Sequence, residues 1–201
     1  MAEKIKIEIY RKKAPEDFTK ELAETDSRMA TGSGAALTAA LAASLLERAA
    51  GLIAETVKDN ERVDYILRNA EILRGYMVHL IDEDVKCRGP LRKAVKEGDP
   101  TVIEAAREPA VAICSEILNM MTKCLEFLQE LAAFDAAEAK HFLASSAELA
   151  LGTMKAVSHY IIFQGDLNSD ETYRYIARRE IEMTMEEYLP VYEDILSKTG
   201  C

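Results

Sequence analysis

At 201 residues the chain suits one domain around one sizeable core. Tryptophan is absent, glycine and proline are sparse, and Ala, Glu, Leu, Lys and Arg dominate, the composition of long packed helices. A formal net charge of −10 repels phosphate backbones and anionic lipid, which excludes nucleic acid and membrane surfaces as expected partners.

Residues 4–10 alternate Lys-Ile-Lys-Ile-Glu-Ile-Tyr, the two-residue period of a short extended N-terminal arm. The N-terminus has no apolar core followed by a small-residue cleavage site, so no secretion signal is expected. After Pro15, Phe18, Leu22 and Ala23 fall at helical spacing behind acidic residues, predicting a helix over 16–23. Residues 26–34 form a loop ending in Thr31-Gly32-Ser33-Gly34, which opens onto an alanine-rich apolar helix reaching about Val57. Ser33 there is either an ordinary N-cap or, with its free neighbouring amides, part of the wall of a small-molecule pocket.

The apolar run 35–46 ends at Glu47-Arg48, short of the roughly 20 residues that span a bilayer, so no membrane span is expected. Asp59-Asn60 restarts a helix whose apolar positions Val63, Ile66, Leu67, Ala70, Leu73, Met77, Leu80 and Ile81 keep one face, making an antiparallel hairpin with its predecessor. Gly89-Pro90 predicts a break after Asp82-Glu83-Asp84, followed by a short helical piece to Gly98. Asp99 then caps a helix with Pro100 in its first turn, and Pro109 divides it into a short helix and a long one over 110–131. A small-residue helix over 135–163, a turn at 165–168 and a last amphipathic helix from Ser169 or Asp170 to Lys198 complete the chain. The reading is all-α: an orthogonal-to-antiparallel bundle of long helices in one domain, 1–201.

Cys87, Cys114, Cys124 and Cys201 show no Cys-x-x-Cys spacing, as expected of reduced thiols in a cytoplasmic protein. Asp82, Glu83 and Asp84 put carboxylates at a predicted helix end where they oppose the dipole, either as a solvated acidic end or as part of a site. In the 135–163 helix, His141, Ser145, Glu148, Gly152, Lys155 and His159 fall on one stripe at about 100° per residue. That stripe is a site rim, where histidine moves protons near neutral pH, or simply the wet face. No His-x-x-x-His or Glu-x-x-His pair is present, so no metal is expected. No nucleophile elbow, P-loop or dinucleotide fingerprint appears.

The order of these parts, from Phe18 and Leu22 through the glycine-serine turn and the Leu80-Ile81-Asp82-Glu83-Asp84 run to Gly165-Asp166-Leu167-Asn168, resembles the formiminotransferase-cyclodeaminase and methenyltetrahydrofolate cyclohydrolase family over about 18–196. Where that family's turn reads Pro-Gly-Gly-Gly-Ser, Met29, Ala30 and Thr31 stand here before the matching Gly32 and Ser33. Its Asp-x-Asp-Ala-x-x-Phe run keeps Asp82 and Asp84 but has Val85 and Arg88 at the last two marked places. Its Gly-Asn and Ser-Asp pairs map onto Phe134-Asp135 and Lys140-His141, and a later asparagine maps onto His159.

The resemblance implies an all-helical homodimer handling one-carbon tetrahydrofolate derivatives. Such a protein hydrolyses 5,10-methenyltetrahydrofolate, or cyclises and deaminates 5-formiminotetrahydrofolate. The alternative is a non-catalytic or re-purposed relative that binds a folate-like or other small heterocycle as a helical dimer. Asp82 and His141 are the candidate acid-base residues; Gly32, Ser33, Asp84, Lys140, Lys155 and His159 are the candidate substrate-binding residues. No cofactor is expected beyond the tetrahydrofolate substrate itself.

Overall fold

The computed structural model describes residues 9–200. Most of the predicted arm lies outside them; of its last two residues, Ile9 is extended and Tyr10 opens a 3-10 turn, Tyr10–Lys12. Six α-helices follow: α1 Pro15–Leu22, α2 Thr31–Val57, α3 Glu61–Glu97, α4 Pro100–Leu131, α5 Lys140–Asp166 and α6 Glu171–Thr199. A second 3-10 turn, Ala137–Ala139, leads into α5 where the sequence predicts helix from 135. No strand occurs among the described residues.

Three helix starts are set by side chains. Asn60, Asp99 and Asp170 each accept hydrogen bonds from the amides two and three residues on, opening α3, α4 and α6 and satisfying donors that have no partner inside the helix. Gly98 and Gly200 end α3 and α6 at φ of 78° and 79°, a conformation glycine adopts without a Cβ clash.

The expected breaks at Gly89-Pro90 and Pro109 do not occur: α3 runs through Pro90 and α4 through Pro109, as α6 does through Pro190. All three prolines lie on exposed faces. The carbonyl that each leaves unpaired is therefore solvated, and packing on the opposite face holds the helix together. Asp82, Glu83 and Asp84 consequently lie within α3 and not at its end, so the expected dipole penalty does not arise.

Cross-links fix the directions. Arg74 binds Glu47 and Asp84 binds Ser33, so α3 runs antiparallel to α2. Arg62 meets Glu130 and Tyr76 meets Glu116 between α3 and α4. Ser146 on α5 donates to the Ala42 carbonyl of α2, and Tyr192 on α6 donates to Glu148 of α5.

Helix α2 packs against α3, α4 and α5, with Ala36, Ala39, Ala42, Ala43, Ala49 and Ala50 fully buried. Side chains this small let neighbouring backbones approach closely, and the larger Leu46, Ile53, Ile66, Met77, Ile117, Met121, Leu125 and Leu128 fill the space between helices. Each such large side chain contributes about 1.5–3 kcal/mol by leaving water. By length and composition α2 is long and apolar enough to cross a membrane; here half of its most apolar stretch is buried inside the bundle.

Candidate functional site

Helix α2 begins at Thr31, so Gly32, Ser33 and Gly34 form its first turn and not a loop before it, and Ala30, without a side-chain hydrogen bond, stands at the cap position. Ser33 is therefore not the N-cap. The carboxylate that serves this helix end comes from α3: Asp84 Oδ2 accepts from the Ser33 amide at 2.8 Å and from its hydroxyl at 2.6 Å. A negative group at the positive end of α2 is stabilised there. Gly32 is required for the approach, since a Cβ at that position would lie 2.3 Å from Asp84 Oδ1.

Asp84 is fully buried, and one turn further along α3 the Arg88 guanidinium lies beside it. Arg88 Nε reaches Asp84 Oδ1 only at 3.4 Å, while Nη1 donates to the Tyr160 hydroxyl of α5 at 2.6 Å and the guanidinium lies 4.4 Å from the Tyr160 ring centroid. Arg88 Nη2 is buried and has no hydrogen-bond partner among the described residues. Leaving a charged donor unpaired in a low-dielectric interior costs at least about 1–3 kcal/mol. Burial pushes the Tyr160 phenol up to about 12, with the nearby Arg88 opposing that rise, so the phenol stays protonated. Because its oxygen accepts from Arg88, its own proton remains to be donated.

Over this group opens a cleft of about 480 Å³, lined among others by Thr31, Arg88, His159, Tyr160, Phe163 and Gln164. His159 is exposed at the cleft, and Gln164 is largely buried beside it. A separate groove of about 410 Å³ between α4, α5 and α6 is mainly apolar, its charged lining residues being Glu180 and Glu187. The cleft over Arg88 is the place where buried charge, a hydroxyl donor and an imidazole meet. Among the described residues no three His, Cys, Asp or Glu side chains group as metal ligands.

Of the residues singled out from sequence, Gly32, Ser33, Asp84 and His159 come together here. Asp82 does not join them: two residues apart on a helix means about 200° of rotation, so it leaves α3 on the side opposite Asp84. Its Oδ1 accepts from the Tyr10 and Arg11 amides at 2.8 and 3.2 Å, and its Oδ2 pairs with Arg11 at 3.4 Å, which anchors the N-terminal 3-10 turn.

The stripe on α5 is exposed along its whole length, as spacing predicts, but a stripe that long serves no single pocket. His141 stands eighteen residues before His159, about 27 Å down the axis at 1.5 Å per residue. There its ring lies 3.9 Å from that of Phe142 between centroids, the planes tilted by 39°, while Lys140 pairs with Asp135 at 3.2 Å. Lys155 is exposed one turn from His159 and does not line the cleft. Sequence reasoning missed Tyr160 and Gln164, and noticed Arg88 only as a departure from a motif. A tyrosine next to a stripe histidine carries no signal of its own until α3 is placed against α5.

Three comparisons bear on this arrangement. The family model described as formiminotransferase-cyclodeaminase matches residues 15–183. Among curated proteins no sequence matches the chain. Among solved structures, formiminotetrahydrofolate cyclodeaminase from Thermotoga maritima is similar in fold, with a TM-score of 0.85 at 19% identity, over 94% of this chain and 96% of that one.

Proposed function

The chain belongs to the formiminotransferase-cyclodeaminase family, and from that premise we propose that its cleft binds a one-carbon tetrahydrofolate derivative and transforms the one-carbon unit. In the hydrolytic reaction, water adds to the methenyl carbon between two ring nitrogens of 5,10-methenyltetrahydrofolate. In the cyclising reaction, a ring-side nitrogen attacks the formimino carbon and ammonia leaves. Each needs a group that takes up and returns a proton within reach of the carbon.

The observation that carries this reading is the meeting of His159 with the buried Ser33, Asp84, Arg88 and Tyr160 chain under one cleft. His159, and not the expected Asp82 or His141, is assigned the proton-carrying role because it lines the cleft. Asp84 Oδ2 is taken by Ser33 and its Oδ1 is paired with Arg88, so its role is to hold the floor. Asp82 acts by securing the N-terminal segment beside α3. The active species is proposed as a homodimer, in which His141 and Lys155 on the exposed face of α5, and the half-buried Lys140, serve contacts outside this cleft.

The test is loss of the methenyl absorbance against a buffer control, together with ammonia release from the formimino substrate. Turnover that is lost in His159→Gln and kept in His141→Gln supports the assignment. Rates equal to the uncatalysed reaction, with tight binding of an unrelated heterocycle, would move the protein to the non-catalytic alternative.

A further inference from the structure

With the cleft read as the folate site, we propose that Gln164 recognises the N3–H and C4 carbonyl edge of the pteridine ring while Phe163 stacks on its face, so that these two residues set which heterocycle binds and where its one-carbon unit lies.

Helical spacing supplies the frame. His159 and Phe163 stand four residues apart on α5, as do Tyr160 and Gln164, so the helix presents two neighbouring rows to the cleft, each with its second member about 6 Å further along the axis. The outer row is an imidazole followed by a phenyl ring that is 59% exposed. The inner row is a phenol followed by an amide that is only 8% exposed. The phenol is already engaged, accepting from Arg88 at 2.6 Å. The Gln164 amide has no hydrogen-bond partner among the described residues.

This amide is open where other unpaired groups are closed. Arg88 Nη2, Arg107 Nε and Ser158 Oγ are the fully enclosed side-chain atoms without a partner among the described residues. Neither polar atom of the Gln164 amide is among them, so the amide is accessible from the cleft of about 480 Å³ that it lines. A cleft of that size takes a bicyclic heterocycle. An amide held this deep in a wall without a partner is costly, and a ligand that answers it recovers the cost.

A carboxamide donates from nitrogen and accepts at oxygen, side by side. Its complement is an acceptor next to a donor, and the lactam edge of a pteridine is such a pair. The C4 carbonyl accepts from the Gln164 nitrogen, and N3–H donates to the Gln164 oxygen. Two parallel hydrogen bonds fix the ring within its own plane. Phe163 supplies the remaining restraint, an exposed aromatic face against which a flat heterocycle stacks. On the pteridine ring the C4 carbonyl is peri to N5, so an anchored lactam edge also holds N5 and the one-carbon unit it carries. Gln164 and Phe163 thereby position the reacting carbon in the cleft that His159 lines.

The test is fluorescence titration with pterin and with 3-methylpterin, which lacks the N3 proton, in the wild type, Gln164→Met and Phe163→Ala, with thermal midpoints as the check on folding. The wild type should bind pterin at least about tenfold more tightly than 3-methylpterin, because a blocked edge leaves the buried amide unanswered. In Gln164→Met, pterin binding should weaken about tenfold and the preference should vanish. Phe163→Ala should weaken both ligands about tenfold and keep the preference, since stacking senses the face and not the edge. A preference that survives in Gln164→Met overturns the proposal, as does a wild type that does not distinguish the two ligands. If Gln164→Met does not fold, Gln164→Asn, which draws the amide back by one carbon, takes its place under the same criteria. Folate turnover by a wild type with no pterin preference removes the subsite and leaves the folate reading standing. The full pattern of preferences without turnover keeps the subsite and removes the reaction. A wild type that binds neither pteridine and turns over no folate sinks both.

Discussion

Asp84 secures the first turn of a helix to which it does not belong: its Oδ2 takes both the amide and the hydroxyl of Ser33, 51 positions earlier in the chain. The contact joins the start of α2 to the middle of α3, and through Arg88 and Tyr160 to α5. One carboxylate thus sets how three helices meet at the cleft. It also fixes the place of His159, which rides on the same turn of α5 as Tyr160.

Gly32→Ala should destabilise the protein by about 1–3 kcal/mol, because the new methyl would overlap a carboxylate held on both sides. Gly34→Ala is the control: its Cβ meets only the tip of Leu22 at 3.3 Å, and the gain in helix propensity should leave stability within about 1 kcal/mol of the wild type. Urea denaturation of the two variants checks both.

Asp84→Asn removes the charge partner of a buried guanidinium and should cost about 3–5 kcal/mol. The double variant Asp84→Asn with Arg88→Met removes both charges and should recover much of that loss. A double-mutant cycle in thermal or urea unfolding measures the coupling.

Asp82→Asn should leave the helical circular dichroism spectrum intact while loosening the segment around Tyr10 and Arg11, whose amides it binds. Limited proteolysis should then cut first before α1. If the N-terminal segment shapes the active dimer, folate turnover falls in the same variant.

Alkaline pH should unfold the protein. Burial raises the Cys114 and Cys124 thiols from 9.0 to about 12, and Tyr160 rises from 10.0 to about 12, chiefly by burial. The protonated forms are the ones the fold favours, so their contribution is complete below about pH 9 and is lost as pH climbs toward 12. Thermal midpoints measured at steps from pH 8 to 12 should fall through that window, with phenolate absorbance of the buried tyrosine appearing only as the fold opens.

In light scattering the protein should have about twice the 22.4 kDa mass of one chain. The exposed Leu41 of α2 and Ile72 of α3 are apolar surface that a second copy would cover. A 22.4 kDa particle at micromolar concentration would rule the dimer out.

What the sequence determined by itself is local. Asp99 could be read as a cap, and Asn60 and Asp170 as helix starts, because a side chain there needs only the amides two and three residues on. The exposed stripe of α5 and the buried face of α3 follow from 3.6-residue periodicity, which requires no partner. Tertiary structure decided the rest. Pro90 and Pro109 stay inside continuous helices because packing on the far face outweighs one lost hydrogen bond, a balance invisible in a short window. Ser33 turns to Asp84 instead of capping its own helix, Asp82 leaves α3 on the other side, and His159 reaches the cleft while His141 stays about 27 Å away. Each of these depends on which helix lies against which. The hydrogen bonds Ser33–Asp84 and Arg88–Tyr160 join residues 51 and 72 positions apart, and only the packing of α2, α3 and α5 brings these within reach.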